Sequence, residues 1–484
     1  MKLTYEISDR PQFGQNLVFA FQQMIAIMAA TLLVPMLMSS YTLSDGVTTL
    51  NFDPAAALFG AGIGTIVYVF CSKRRSPVFL GSSFTFLGAY AAIIGMNYGY
   101  WGVILGILLA GLVYVVISII IRMIGSDWVN YLMPTVIIGP IVTLIGLSLS
   151  GTATSWMATN GGADYSLLTI LIGMVTFLTI VYVSVKGSKT LKLIPFIVGV
   201  GAGYVLALII TLVGGPKILD LSGFQQAFVP FTFSSIFSVP KFTILQALTI
   251  KNDLFLPIDA AAIGNIAMTF VPIAVVELAQ HIADHKNLGA IVNRDLIKDP
   301  GLENTLMGDG LGSIIGGFFG GAANTTYGES IGCVAITGNA SVYTIITAAI
   351  GCMLLSFFTP FVVIINSIPK CVMGGACVAL YGFIAVSGLQ MIRKVDLGNN
   401  KNLFIVSAIL VVGIGGLSLN FGTNPITGTP ILQVTSLATA LIAGILTNLL
   451  VHGGKMGTGE DVEYLTGSVE SIANADFEDT NAQK

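Results

Sequence analysis

Glu277 and Glu329 stand inside apolar stretches of a chain whose residues are 54% hydrophobic and only 9% charged. Glu277 lies in the run 263–283, and Glu329 lies in AANTTYGESIGCVAITG (322–338). An ionisable group at the centre of a bilayer costs roughly 2.5–3.5 kcal/mol even on lenient insertion scales, so such residues usually face a cavity and take part in moving something. A carboxylate can accept N–H groups or carry a proton, and two of them suit a polar ligand with N–H donors. His281 follows Glu277 by four residues and shares a helix face with it, so the two should exchange protons as a coupled pair. A helix-packing glutamate satisfied by Ser or Thr is the plainer alternative, but here both acids stand beside clusters of Gly, Thr and Ser. His285 and His452, at polar segment ends, read as solvated.

Other chemistry is poorly supported. The chain has no HExxH, no paired Asp at metal spacing, no GxSxG in an exposed turn and no P-loop, so neither an enzyme nor a resident metal or cofactor is expected. Five cysteines in or beside apolar segments, odd in number and without metal-ligand spacing, read as small packing residues.

The elements that must position the acids are membrane helices. A soluble domain carries about 25% charged residues, and mean hydropathy here is +0.87. Apolar stretches of the 18–20 residues that a spanning helix requires recur along the chain. Fourteen segments are expected, beginning near Asn16, Pro54, Val78, Trp101, Asn130, Leu167, Leu191, Ala261, Leu306, Thr325, Val342, Val372, Leu403 and Ile431. The fold class is therefore an all-α polytopic membrane protein. Its polar opening leads into a run too long for a leader core, so the first helix should direct insertion itself.

Charge placement orients the chain. Basic clusters at Lys73-Arg74-Arg75, Arg122, Lys186/Lys189/Lys192, Lys286/Arg294/Lys298 and Arg393/Lys394/Lys401 fall on one side, while the loops 40–53, 95–100, 151–165 and 421–429 have no Lys or Arg. That positive-inside pattern puts both termini in the cytoplasm of a cell-membrane protein. The connection 214–256 should be external. The tail 453–484, with seven acidic and two basic residues, is expected to be disordered.

Two segments look like copies of one another. FLGSSFTFLGA (79–89) and ANTTYGESIGC (323–333) each place small hydroxyl residues, then an aromatic, then glycine, about 243 residues apart. Short, Gly-interrupted segments at matching places in two halves point to a transporter's substrate site. An extended backbone survives at membrane depth only against protein or a wet cavity. The stretches 81–84 and 324–327 should therefore pair as short antiparallel strands, each feeding a half-helix whose N-terminus offers free N–H groups. Donors and acceptors converging in this way suit the imide edge of a pyrimidine or purine base.

NTTYGESIG with VAITG (324–332 and 334–338), and VVELAQHIADHKNLGAIVNRDLIKDPGL (275–302), resemble the nucleobase–ascorbate transporter family, above all its bacterial uracil permeases. The likeness extends from FQQMIAIMAATLLVP (21–35) through GSSFTF (81–86) to MGGACVALYGFIAVSG (373–388). It implies a proton-coupled nucleobase symporter of two inverted seven-helix repeats. A core domain (16–124 and 257–366) would hold substrate and move against a gate domain (128–214 and 369–452). By the same resemblance, Glu277 and Glu329 accept the ring N–H groups, and the amides of Phe84 and Gly328 donate to the ring carbonyls. His281 is linked to the proton, Ser83 and Tyr327 line the site, and Tyr381 faces it from the gate. A homodimer through the gate domains is a further implication.

Two departures bear on the substrate. Gln22-Gln23 replaces the family's frequent Gln-His, and Ser330-Ile331-Gly332 followed by Thr337-Gly338 replaces Asn-x-Gly-x4-Thr-Arg. Xanthine-type members usually carry Gln where Glu329 stands, which favours uracil over xanthine or uric acid. An anion transporter on a related scaffold is the reading from another class; the two acids and the acidic tail oppose it.

Overall fold

Lipid offers no partner to a bare N–H or C=O, so an apolar chain satisfies its backbone internally, chiefly as helices. The computed structural model describes residues 3–126, 128–129, 134–188, 191–214, 216–423, 430–454 and 457. The first half runs α1 (Phe13–Met38), α2 (Pro54–Cys71), β1 (Leu80–Ser82), α3 (Leu87–Gly95), α4 (Gly99–Ile124), α5 (Thr135–Ser148), α6 (Ser150–Thr159), α7 (Leu167–Lys186) and α8 (Pro195–Leu212). Two short helices, α9 (Ser222–Phe228) and α10 (Thr243–Thr249), lie in the long connection. The second half runs α11 (Ala260–Val292), α12 (Leu302–Gly320), β2 (Asn324–Thr326), α13 (Gly328–Thr337), α14 (Val342–Leu355), α15 (Thr359–Asn366), α16 (Lys370–Ile392), α17 (Asn400–Ile414), β3 (Leu419–Thr423), β4 (Pro430–Val434) and α18 (Ser436–Val451). Among the described residues, eight helices are long and apolar enough to cross a membrane: α1, α2, α4, α5 with α6, α7, α8, α11 and α16. The chain is thus a polytopic, predominantly helical membrane protein.

Helices associate mostly within two groups. One contains α1, α2, α4, α12 and α14, with α11 against α4; in the other, α16 packs on α5, α6 and α7, and α17 packs on α5 and α18. Glycine permits the close crossing of α2 with α12. A Cβ on Gly64 would come 2.7 Å from the Gly312 carbonyl oxygen, and one on Gly316 would run into the Asn324 carboxamide. Asn324 occupies that gap and donates to the Gly60 carbonyl oxygen at 2.9 Å, so small residues seat β2 between two helices.

The expected strand pair is present. β1 and β2 run antiparallel with Leu80 opposite Thr326, Gly81 opposite Thr325 and Ser82 opposite Asn324. Their outer backbone groups find side chains: Leu80 N–H donates to Thr65 (2.9 Å), Phe79 N–H to Ser330 (3.0 Å) and Ala323 N–H to Tyr90 (2.7 Å). A second pair, β3 with β4, was not expected: β4 occupies the stretch near Ile431 where the last helix was expected to begin. Consequently that helix begins at Ser436, capped by Thr435. Apart from residues 453, 454 and 457, the acidic tail lies outside the described residues.

Candidate functional site

Each strand leads directly into a half-helix. After β1 the chain turns through Phe84 and Thr85, where Ser83 Oγ accepts the Thr85 N–H at 3.3 Å, and α3 begins at Leu87. After β2, Tyr327 caps α13 with its N–H on the Phe79 carbonyl oxygen (3.1 Å), placing Gly328 and Glu329 in the first turn. Unpaired N–H groups at a helix start carry partial positive charge, and Glu329 sits at that end. Gln23, which stands where the resemblance suggested a histidine, donates to the Ser330 carbonyl oxygen at 3.3 Å and ties α13 to α1.

A cavity of about 570 Å³ opens onto both half-helix starts. Ser83, Phe84, Glu277, Tyr327, Gly328 and Glu329 all line it, so these six sequence-selected residues share one hollow. Glu277 is 2% exposed, its carboxyl group lies among Ser83, Thr85 and Thr325, and Oε2 has no hydrogen-bond partner among the described residues. Glu329 is half-buried and Gly328 is open to the cavity. Tyr327 is held by a hydrogen bond from its hydroxyl to the Ser82 carbonyl oxygen at 2.8 Å. Phe84 meets the ring of Tyr381 edge-on at 5.6 Å; Tyr381 backs it without lining the cavity.

His281 is not brought to this cavity. It is fully buried on another flank of α11, with Nδ1 2.6 Å from Asp309 Oδ2 rather than beside Glu277. His285 is 1% exposed and bonds the Tyr68 hydroxyl at 2.7 Å, which corrects its sequence reading as a solvated residue.

Three polar residues that the sequence reading passed over do reach the cavity from α11: Gln280, Asp284 and Asn287. Asp284, 4% exposed, accepts the Thr326 hydroxyl at 2.8 Å and the Gln280 amide at 3.2 Å, joining α11 to β2. The polar positions of ELAQHIADHKN at i, i+3, i+7 and i+10 from Glu277 mark that stripe. The opposite wall is largely apolar: Val142 and Ile145 of α5, Phe196 of α8, and Phe383 and Ile384 of α16, with Lys192 as the one cation among the lining residues. An apolar enclosure with a few convergent acceptors and donors is how small polar ring compounds are recognised. Among the described residues, no group of three or more His, Cys, Asp or Glu is placed to hold a metal ion.

Residues 14–421 match the family model described as Permease family, for xanthine and uracil permeases. The uracil permease of Bacillus caldolyticus is 36% identical over 455 residues, covering 93% of this chain and 95% of that one. The uracil permease of Escherichia coli K12 is 32% identical (92% and 94% covered), and a putative pyrimidine permease of the same strain is 30% identical (92% and 91%). Among solved structures, the transmembrane domain of a cyanobacterium bicarbonate transporter superposes with a TM-score of 0.57 at 15% identity, covering 91% of this chain and all of that one. The murine anion transporter Slc26a9 in its inward-facing state also gives 0.57, at 10% identity, with 92% and 69% covered. These two likenesses concern the fold alone.

Proposed function

The chain belongs to the nucleobase–ascorbate transporter family, and on that premise we propose that it carries a nucleobase, uracil before others, across the membrane together with a proton. One observation carries the reading: two acids and two half-helix starts converge on a single cavity. Uracil docks with its ring carbonyls on the N–H groups of Phe84 and Gly328. Its own N–H groups meet Glu277 and Glu329, and Phe84 and Tyr327 supply aromatic surface. The relatives' names support the pyrimidine. A purine remains the second reading because a cavity of about 570 Å³ also has room for a bicyclic base. The anion-transporter reading has the fold likeness behind it, but Glu277, Asp284 and Glu329 around one hollow oppose an anionic ligand.

The two groups of helices supply the movement. Strands, half-helices, α1 and α11 form one wall, and α5, α7, α8 and α16 form the other, which supports a division into a core (16–124 and 257–366) and a gate (128–214 and 369–452). Beyond the eight long spans, the shorter apolar helices α14, α17 and α18, together with α12 and the half-helices α3 and α13, make up fourteen segments in two inverted halves. A smaller cavity shares Asn287 and Ser387 with the first and continues to Lys286 and Lys394, which supports an orientation open to the basic, cytoplasmic side. Alternating access follows when the core shifts against the gate and seals that path.

One proton crossing at 100 mV is worth about 2.3 kcal/mol, enough for roughly fifty-fold accumulation. Uptake of labelled uracil into proteoliposomes should therefore fall by at least about tenfold when an uncoupler collapses the proton gradient. Uptake indifferent to the uncoupler removes the symport claim. Xanthine outcompeting uracil moves the substrate to the purines.

A further inference from the structure

The connection between α8 and α11 holds a stretch that the substrate site does not use. From residue 221 to residue 240 it has no charged side chain and five phenylalanines, at 224, 228, 231, 233 and 237. At the rate of soluble domains, a water-facing stretch of that length would carry about five charges. The rings are not tucked away either. Phe231 is 68% exposed and Phe233 76%, and Val229, Phe237 and Val239 are open as well. Phe233 and Phe237 lie 5.7 Å apart, ring to ring, and form one apolar face.

Hydrogen bonds fix this face to the turn between α14 and α15. Ser238 N–H donates to the Phe357 carbonyl oxygen (3.0 Å), Thr359 N–H to that of Ile236 (2.9 Å), and the Thr359 hydroxyl to that of Ser234 (2.8 Å). α14 reaches this turn with Ile350 and Leu354 exposed four residues apart, on one side of the helix, and Phe358 follows them. In a membrane protein, such a side of an apolar helix meets acyl chains. Phe237 pairs with Phe358 in an antiparallel bridge, so the lipid-facing surface of α14 continues onto the connection. The backbone there is also prepared for lipid, which accepts no unpaired N–H. Thr232 N–H bonds Ser235 Oγ at 2.9 Å, and the N–H groups of Ser235, Ile236 and Phe237 bond carbonyl oxygens of Thr232 and Phe233 at 2.9–3.0 Å. Pro230 and Pro240 have no N–H to satisfy.

We infer that the segment 228–239 is a membrane-interface anchor, with its phenylalanines seated among the headgroups and upper acyl chains of the leaflet on its own side. Exposed aromatic and aliphatic side chains on an uncharged face are what that boundary takes up. Lipid is the occupant because the face prolongs the acyl-chain side of α14 and offers no charge for a partner protein to pair with. Asp53 at the start of α2 accepts the Lys241 N–H at 2.8 Å, so the anchor is tied to α2 as well as to α14. It holds whatever the substrate is.

Tryptophan fluorescence of the full-length protein in phosphatidylcholine vesicles tests the anchor, each variant being read as its difference from the unsubstituted protein. In vesicles brominated on the upper acyl chains, the emission added by Phe233→Trp should fall by at least about twofold. Val47→Trp, on an open turn beside Asp45, is the water reference; it should respond to aqueous iodide and not to bromine. Phe231→Trp replaces Phe233→Trp if the latter does not melt like the parent. Bromine quenching no stronger than at Val47 overturns the anchor. Iodide quenching would then put the segment in water, and indifference to iodide would put it against protein, such as a second copy of this chain.

Discussion

Replacing Glu277 or Glu329 by alanine should sharply weaken uracil binding to the purified protein without unfolding it. A hydrogen bond to a charged group contributes about 1.5–3 kcal/mol net, so losing one weakens binding by about 10- to 150-fold. The fold should survive because both side chains line the cavity rather than fill a helix–helix contact. Glu277 Oε2 bonds nothing among the described residues, and Glu329 opens into the cavity. Glutamine at either position is the sharper substitution, since its N–H₂ can turn a donor towards the ring N–H at nearly constant volume. Equilibrium dialysis measures the loss, with a melting curve as the control for folding. Normal binding by both alanine variants would place the substrate elsewhere.

Gly81→Ala should disable transport through the strands rather than through any contact with substrate. The added Cβ would run into the Tyr327 ring and come 2.9 Å from Thr31 Oγ1. That ring cannot simply swing aside, because its hydroxyl is bonded to the Ser82 carbonyl oxygen. Overpacking of this kind costs about 1–3 kcal/mol. It also shifts β1 against β2, where Gly81 faces Thr325, and so moves Thr325 beside Glu277 and Thr326 beneath Asp284. Uracil uptake should fall by at least about tenfold, together with a lower melting temperature. Gly88→Ala is the matched control: its Cβ meets nothing within 4 Å, and alanine in a helix is favoured by about 0.5–1 kcal/mol. A Gly81→Ala protein that melts and transports like Gly88→Ala would show that the strand pair tolerates displacement.

Much of this site was legible because lipid makes polarity expensive. Glu277 and Glu329 stood out against apolar neighbours, and Gly-Ser-Ser and Asn-Thr-Thr announced backbone that plain helices would not use. The antiparallel pairing of those stretches is as expected. What the sequence left ambiguous is which flank of α11 faces the cavity. At 3.6 residues per turn, His281 lies about 40° to one side of Glu277, while Gln280, Asp284 and Asn287 lie about 20–80° to the other. An i, i+4 spacing joins Glu277 to His281 but does not say which neighbour shares its hollow; tertiary packing against α12 decides, through an aspartate hidden in the glycine-rich run MGDGLG. The β3–β4 pair was missed because Leu419–Thr423 and Pro430–Val434 are short and lie between two apolar helices.

The most direct measurement is an experimental structure of the protein with uracil bound. The ring should lie between the starts of α3 and α13, with Glu277 and Glu329 within about 2.7–3.2 Å of its N–H groups and the amides of Phe84 and Gly328 at its carbonyl oxygens. Uracil bound away from that hollow, or held there with neither carboxylate in reach, contradicts the assignment.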